Sequence, residues 1–192
     1  TVPGAFKANV TTSRDVETIT HALVACAAHL HHLCKTTGRT IVLALEPEPA
    51  CFLETTPEAI EFFERHLFAN EAITRFASLT GTTHAEANAA LRRHLGLCFD
   101  VCHSAVEFED PEETLTRVER AGIRIAKIQL SAALRAANVE PSIEAALAKF
   151  DDGIYLHQTV ESRDGTITRY TDLPEAFAAL GRGVAGGEWR IH

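Results

Sequence analysis

Three apolar runs in this chain each end in polar or acidic side chains: Ile41-Val-Leu-Ala-Leu-Glu46-Pro-Glu48-Pro49, Leu95-Gly-Leu-Cys-Phe-Asp100-Val-Cys-His103 and Ile125-Ala-Lys-Ile-Gln129-Leu-Ser131. Read as strands, they put residues two apart on the same face. With Glu46 inward, Val42 and Ala44 are inward too, and Ile41, Leu43 and Leu45 face outward. With Asp100 inward, Gly96 and Cys98 join it, while Leu95, Leu97 and Phe99 meet an outer layer. In the third run Ile123, Ile125, Lys127, Gln129 and Ser131 share one face. Strand ends that deliver polar groups to one pocket are what the catalytic face of a parallel β-barrel requires.

Helical spacing fills the intervals. Thr12 with Asp15 forms a capping-box pattern, and Ile19, Leu23, Cys26, Leu30 and Leu33 then recur at the helical period, with Gly38 beyond the end. Thr56 and Pro57 open a helix to about Phe68, followed by helical stretches near Glu71–Leu79 and His84–His94. Asp110-Pro111-Glu112-Glu113 starts another helix, which ends at Gly122, and one more is expected from Ser142 to Phe150. Asp164-Gly165, between Ile154–Glu161 and Thr166–Tyr170, is a strong hairpin signal. Leu173-Pro174 opens a short helix, and Glu188–His192 reads as a further strand.

Alternating strands and helices predict an α/β fold with a parallel sheet. A doubly wound sheet would carry a glycine-rich nucleotide loop after its first strand, and no Gly-x-Gly-x-x-Gly or P-loop occurs here. The expectation is therefore a parallel (β/α)8 TIM barrel. Only four core strands are countable in the 192 residues, near Thr40, Leu95, Ile123 and Glu188, and a full barrel needs about 250 residues. The chain is expected to be one partial barrel domain over residues 1–192, truncated at both ends, with the hairpin inserted over a rim. It contains no Met, so Thr1 is not expected to be a native start.

A net charge of -8 with interspersed signs argues against a nucleic-acid partner. No apolar stretch reaches the roughly 20 residues that span a bilayer. The five cysteines form no paired framework, and Cys26 and Cys98 read as small core residues, as in a reduced, cytoplasmic protein.

At Asp100-Val-Cys-His103, together with Glu46 and Lys127-Ile-Gln129, the chain resembles the xylose isomerase-like barrel superfamily. Leu43-Ala-Leu-Glu-Pro-Glu-Pro49, Cys98-Phe-Asp-Val-Cys-His103, Lys127-Ile-Gln-Leu-Ser131 and Leu156-His-Gln-Thr159 resemble more narrowly the TIM-barrel component of ebo-type metabolite-traffic operons of bacteria. The resemblance implies a protein that acts on or binds a small hydroxylated or phosphorylated metabolite, with other products of the same operon as partners. It implies Glu46 and Asp100 as metal ligands after two successive strands, His192 as a ligand from a later one, and His103 as a substrate-contacting or second-metal histidine. Gln129 stands where many members place a ligating histidine, which leaves it, with His157, as a substrate-binding candidate.

Two carboxylates with neutral N and O donors suit Mn²⁺, Mg²⁺ or Zn²⁺. Such an ion would polarise a sugar carbonyl while a carboxylate moves a proton, the chemistry of a sugar isomerase or epimerase. Glu46 and Lys127 are the catalytic candidates. An inward Lys127 needs a carboxylate partner, and its ammonium is an alternative to the metal. Glu46 as a strand-end cap, Asp100 as a cap of the following turn, and His157 as a cross-strand hydrogen-bonding residue are the plain structural alternatives. A non-catalytic binding or interaction subunit is the reading from a different class. His29, His31 and His32 are expected to form a partly exposed polar stripe.

Overall fold

The computed structural model describes residues 1–151, 153–183 and 186–192. After a 3-10 turn at Lys7–Asn9, helix α1 runs over Ser13–Thr37, strand β1 over Leu43–Leu45 and α2 over Thr56–Phe62. A π-helical turn, Phe63–Leu67, extends α2. Then come α3 (Asn70–Thr80), α4 (His84–His94), β2 (Leu95–Asp100), α5 (Val101–Val106), α6 (Pro111–Arg120) and β3 (Ile125–Gln129). The remainder is β4 (Leu134–Val139), a 3-10 turn Pro141–Ile143 leading into the short α7 (Glu144–Leu147), β5 (Thr159–Arg163), β6 (Thr166–Tyr170), α8 (Leu173–Gly181) and β7 (Gly187–Ile191).

Local chemistry accounts for most boundaries. Thr12 and Asp15 close a complete capping box on α1, and Gly38 ends the helix in the left-handed conformation at φ 71°. Thr83 and Glu86 form a second capping box on α4. The α2 cap is Thr55, one residue before the expected Thr56.

The strands form two separate sheets. β1, β2 and β3 are parallel and adjacent in that order. The second sheet is antiparallel, in the order β4-β7-β5-β6. Neither closes on itself, so the expected (β/α)8 TIM barrel, or an arc of one, is corrected to a mixed α/β domain with two open sheets. The physical reason lies at Leu130–Ala133. Four residues separate β3 from β4, whereas a parallel neighbour needs a crossover of a dozen or more. β4 therefore cannot extend the parallel sheet and starts a new one. β7, expected as a further barrel strand, runs antiparallel between β4 and β5. The Asp164-Gly165 hairpin forms as expected, with both residues at positive φ (51° and 78°), but it belongs to the second sheet and is not an insertion over a barrel rim.

The outward face of the parallel sheet (Leu45, Leu95, Leu97, Ile123) packs on the helices through Leu23, Val24, Phe63, Phe76 and Leu91. A second core, around Trp189, Leu173, Ala176 and Ile191, joins the antiparallel sheet to α8. Cys102 and Val106 of α5 meet Val160 of β5 in a small third cluster where the two sheets face each other.

Candidate metal centre

The centre sits at the carboxyl ends of β1, β2 and β3. β1 stops at Leu45, and Glu46 follows in a loop stiffened by Pro47 and Pro49, whose rings fix φ. β2 ends on Asp100, which caps α5. Its Oδ1 accepts from the Cys102 N–H at 2.8 Å and from the Ser131 hydroxyl at 2.5 Å. Burial works to raise the Asp100 pKa, but the Ser131 hydrogen bond, His103, Gln129 and the Cys102 N–H outweigh it and hold the carboxyl below its usual range. One turn into α5, buried His103 projects back over the strand ends. Its Nδ1 lies 2.8 Å from the Pro47 carbonyl and 3.8 Å from Glu46 Oε1. One ligand atom each from Glu46, Asp100 and His103 all lie within 4.8 Å of one another. This cluster could chelate a metal ion.

Gln129 ties the two acids together. Its amide nitrogen donates to Glu46 Oε1 at 2.5 Å and to Asp100 Oδ2, and its Oε1 accepts from Lys127 Nζ at 2.5 Å. A register shift between Leu97 and Cys98 makes this geometry. Leu97 pairs with Ile125, but Cys98 pairs with Lys127, so Ala126 is bulged out and Asp100 lies directly beside Gln129. The simple alternation expected for Ile123–Ser131 is broken there. Ile125 turns to the helical core while Lys127 and Gln129 turn to the carboxylates. Lys127 is exposed and reaches the acids through Gln129 rather than by pairing with either.

The antiparallel sheet contributes from the other side. His192, directly after β7, has its Nε2 3.0 Å from His103 Nε2 and its Nδ1 2.9 Å from Gln158 Oε1. Although the residue as a whole is exposed, its ring is partly enclosed. That enclosure, with His103 alongside, lowers its pKa. Gln158 is buried and also faces Glu48, with its Nε2 3.5 Å from Oε1. Burial pushes the Glu48 pKa up; His103 pulls it back, and Glu46 and Asp100 add to the rise. His157 lies apart from the cluster, at the start of α8, where its backbone N–H donates to Asp172 Oδ1 at 2.9 Å and its ring lies 3.9 Å from the same oxygen.

The structure thus brings Glu46, Asp100 and His103 within 4.8 Å of one another, ties Gln129 to both acids, sets His192 against His103, places Lys127 at the rim, and turns His157 to Asp172. Ser131 and Gln158, which hydrogen-bond Asp100 and His192, were not among the candidate site residues. Ser131 was legible from its position two residues after Gln129. Gln158 was not, because its role depends on the second sheet.

A second polar cluster, behind the first, left no signal in the sequence. Arg169 of β6 places two guanidinium nitrogens 2.6 and 2.8 Å from Glu107 Oε2. Lys7 reaches Glu54 at 2.8 Å. Burial drives Glu107 to a pKa of about 7 in spite of Arg169. A cavity of about 10 Å³, lined in part by Asp100, His103, Ser104 and Glu107, separates the two clusters and has room for about one water.

No protein-family model, curated protein or solved structure matches the chain. With that result and the two open sheets, the resemblance to xylose isomerase-like barrels and to the ebo-type metabolite-traffic component is corrected, as is the barrel-based traffic function drawn from it. The short motifs that carried it describe strands that end in polar residues, which is a local property and not a fold. Among the described residues, no helix is long and apolar enough to cross a membrane.

Proposed function

We propose that this domain binds one divalent metal ion through Glu46, Asp100 and His103, and uses it to hold a small hydroxylated metabolite at the ends of the parallel strands. The observation that carries this reading is the convergence of two carboxylates and an imidazole within 4.8 Å, with each donor fixed by a further contact. The Pro47 carbonyl accepts from His103 Nδ1, so the lone pair is on Nε2, and Ser131 and the Cys102 N–H hold Asp100. Outer partners of this kind orient metal ligands generally. A set that includes imidazole favours Mn²⁺ or Zn²⁺ over Mg²⁺, which prefers oxygen alone. When bound, the ion supplies Lewis acidity toward ligand oxygens. The chain's own groups do the rest: Gln129 holds Glu46 and Asp100 together, and Lys127 presents an ammonium at the rim.

A second reading, a metal-dependent sugar isomerase or epimerase, is favoured by Glu48. It is half-buried beside His103, and its raised pKa suits a group that takes and returns a proton.

Elemental analysis of protein loaded with Mn²⁺ or Zn²⁺ and then desalted tests the first reading. One ion per chain is expected in the wild type, and none in Asp100→Asn, whose amide keeps the shape but loses the charge that offsets the cation. The far-UV circular dichroism of the variant should match the wild type. A wild type that retains no ion overturns the reading.

A further inference from the structure

Hydrogen-bond bookkeeping around His192 extends the metal reading and rests on it. The Pro47 carbonyl can only accept, so His103 Nδ1 carries its hydrogen. The Gln158 amide nitrogen is turned to the Glu48 carboxylate, which leaves Gln158 Oε1 facing His192 Nδ1 at 2.9 Å, and that nitrogen carries its hydrogen too. Each neutral ring therefore has its lone pair on Nε2, and the two Nε2 atoms face each other at 3.0 Å. Two lone pairs at that separation repel unless a cation serves both. Two imidazole nitrogens bound to one tetrahedral ion at ~2.1 Å each lie about 3.4 Å apart, so the two rings need part by only a few tenths of an ångström to hold it.

The two rings come from different sheets. His103 stands on α5, directly after β2, and α5 packs against β2 and β3 on one side and β7 on the other. His192 ends β7 of the antiparallel sheet, and its backbone N–H is held by the Gln158 carbonyl at 2.9 Å. Behind the rings the two bodies meet through the buried Cys102, Val106 and Val160 cluster, the Arg169–Glu107 pair, and Arg190, which donates to the Ala105 carbonyl at 2.6 Å. We propose that His192 is a fourth ligand of the same ion, and that the ion acts as a clasp fastening the antiparallel sheet to the parallel one. Loading the metal then stiffens β7 and the start of β5, and removing it loosens them without unfolding either core.

Zinc titration combined with amide hydrogen exchange, on the wild type and on His192→Ala, tests the clasp. Zinc should slow exchange of the β7 and β5 amides about 10-fold or more in the wild type. His192→Ala should still bind one zinc, roughly 10- to 100-fold more weakly, the scale on which metal affinity responds to loss of a supporting group, and without that slowing. Equal affinity and equal slowing in both proteins would remove His192 from the ligand set, and the metal reading would then stand on Glu46, Asp100 and His103 alone. If the wild type takes up no zinc and nitrogen NMR shows one proton shared between the two rings, the clasp is overturned together with the metal reading.

Discussion

Ser131 shows how a single hydroxyl can matter to a charged centre without touching what the centre binds. It donates to Asp100 Oδ1 at 2.5 Å and accepts from the Cys102 N–H at 3.1 Å, so it helps hold one carboxylate oxygen while Gln129 holds the other. Ser131→Ala leaves the carboxylate intact but removes one of the groups that orient it, alongside the Cys102 N–H and Gln129. The expected result is a loss of about 10-fold in Zn²⁺ affinity by isothermal titration, with the stoichiometry unchanged. The acids themselves were legible in the sequence, because a carboxylate straight after an apolar run has few places to go. The partners that orient them were not. The Pro47 carbonyl is invisible to any reading of side chains, and Gln158 needed the second sheet to bring it to His192.

At the scale of elements, α1 tests how far periodicity reaches. The expected apolar seam was Ile19, Leu23, Cys26, Leu30 and Leu33, and the observed buried face is Thr20, Leu23, Val24, Ala27 and His31. Cys26 is exposed, contrary to its reading as a core residue. The helix is rotated because its neighbours α3 and α4 offer Phe76 and His94, whose rings take His31 edge-on at centroid distances of 5.7 and 5.8 Å. His31, expected on an exposed stripe, is 8% exposed, with its Nδ1 unpartnered. Burial, then His94, lowers its pKa below the ordinary histidine value. The sign follows from linkage: below about pH 6.5 the unfolded chain protonates this ring before the folded one does, so stability is lost as pH falls toward the folded pKa. Urea midpoints should therefore drop between pH 7.5 and 5.5, and His31→Leu should show a smaller drop. An unchanged drop in the variant would place the acid sensitivity elsewhere. The Thr12–Asp15 capping box and the Asp164-Gly165 turn were read correctly because each is fixed within four residues, and the Thr83–Glu86 box was missed. The bulge at Ala126 was not, because only the partner strand reveals it.

For the molecule as a whole, local order was legible and global closure was not. β1, β2 and β3 are adjacent and parallel as their polar ends suggested, yet the four residues after β3 redirect the chain into a second sheet. One result is an open edge: among the described residues β3 pairs only with β2, and Ile128 and the following Leu130 are 56% and 91% exposed. Exposed apolar edges promote strand-to-strand association. Ile128→Lys should lower concentration-dependent self-association in sedimentation velocity, and an unchanged distribution would show that the edge is not used. The pairing pattern also sets an order of events in folding. β5 and β6 meet across two residues, whereas Leu43 pairs with Leu95 far along the chain and His103 finds His192 across 89 positions. Local hairpins close in microseconds, while distant pairings wait on the entropy of large loops. The centre draws on strand ends from both the slow parallel sheet and the end of the chain, so it is assembled last. On the proposed metal reading, capture of an ion would report that folding has run to completion, and a chain stalled with its hairpin formed would be blind to metal.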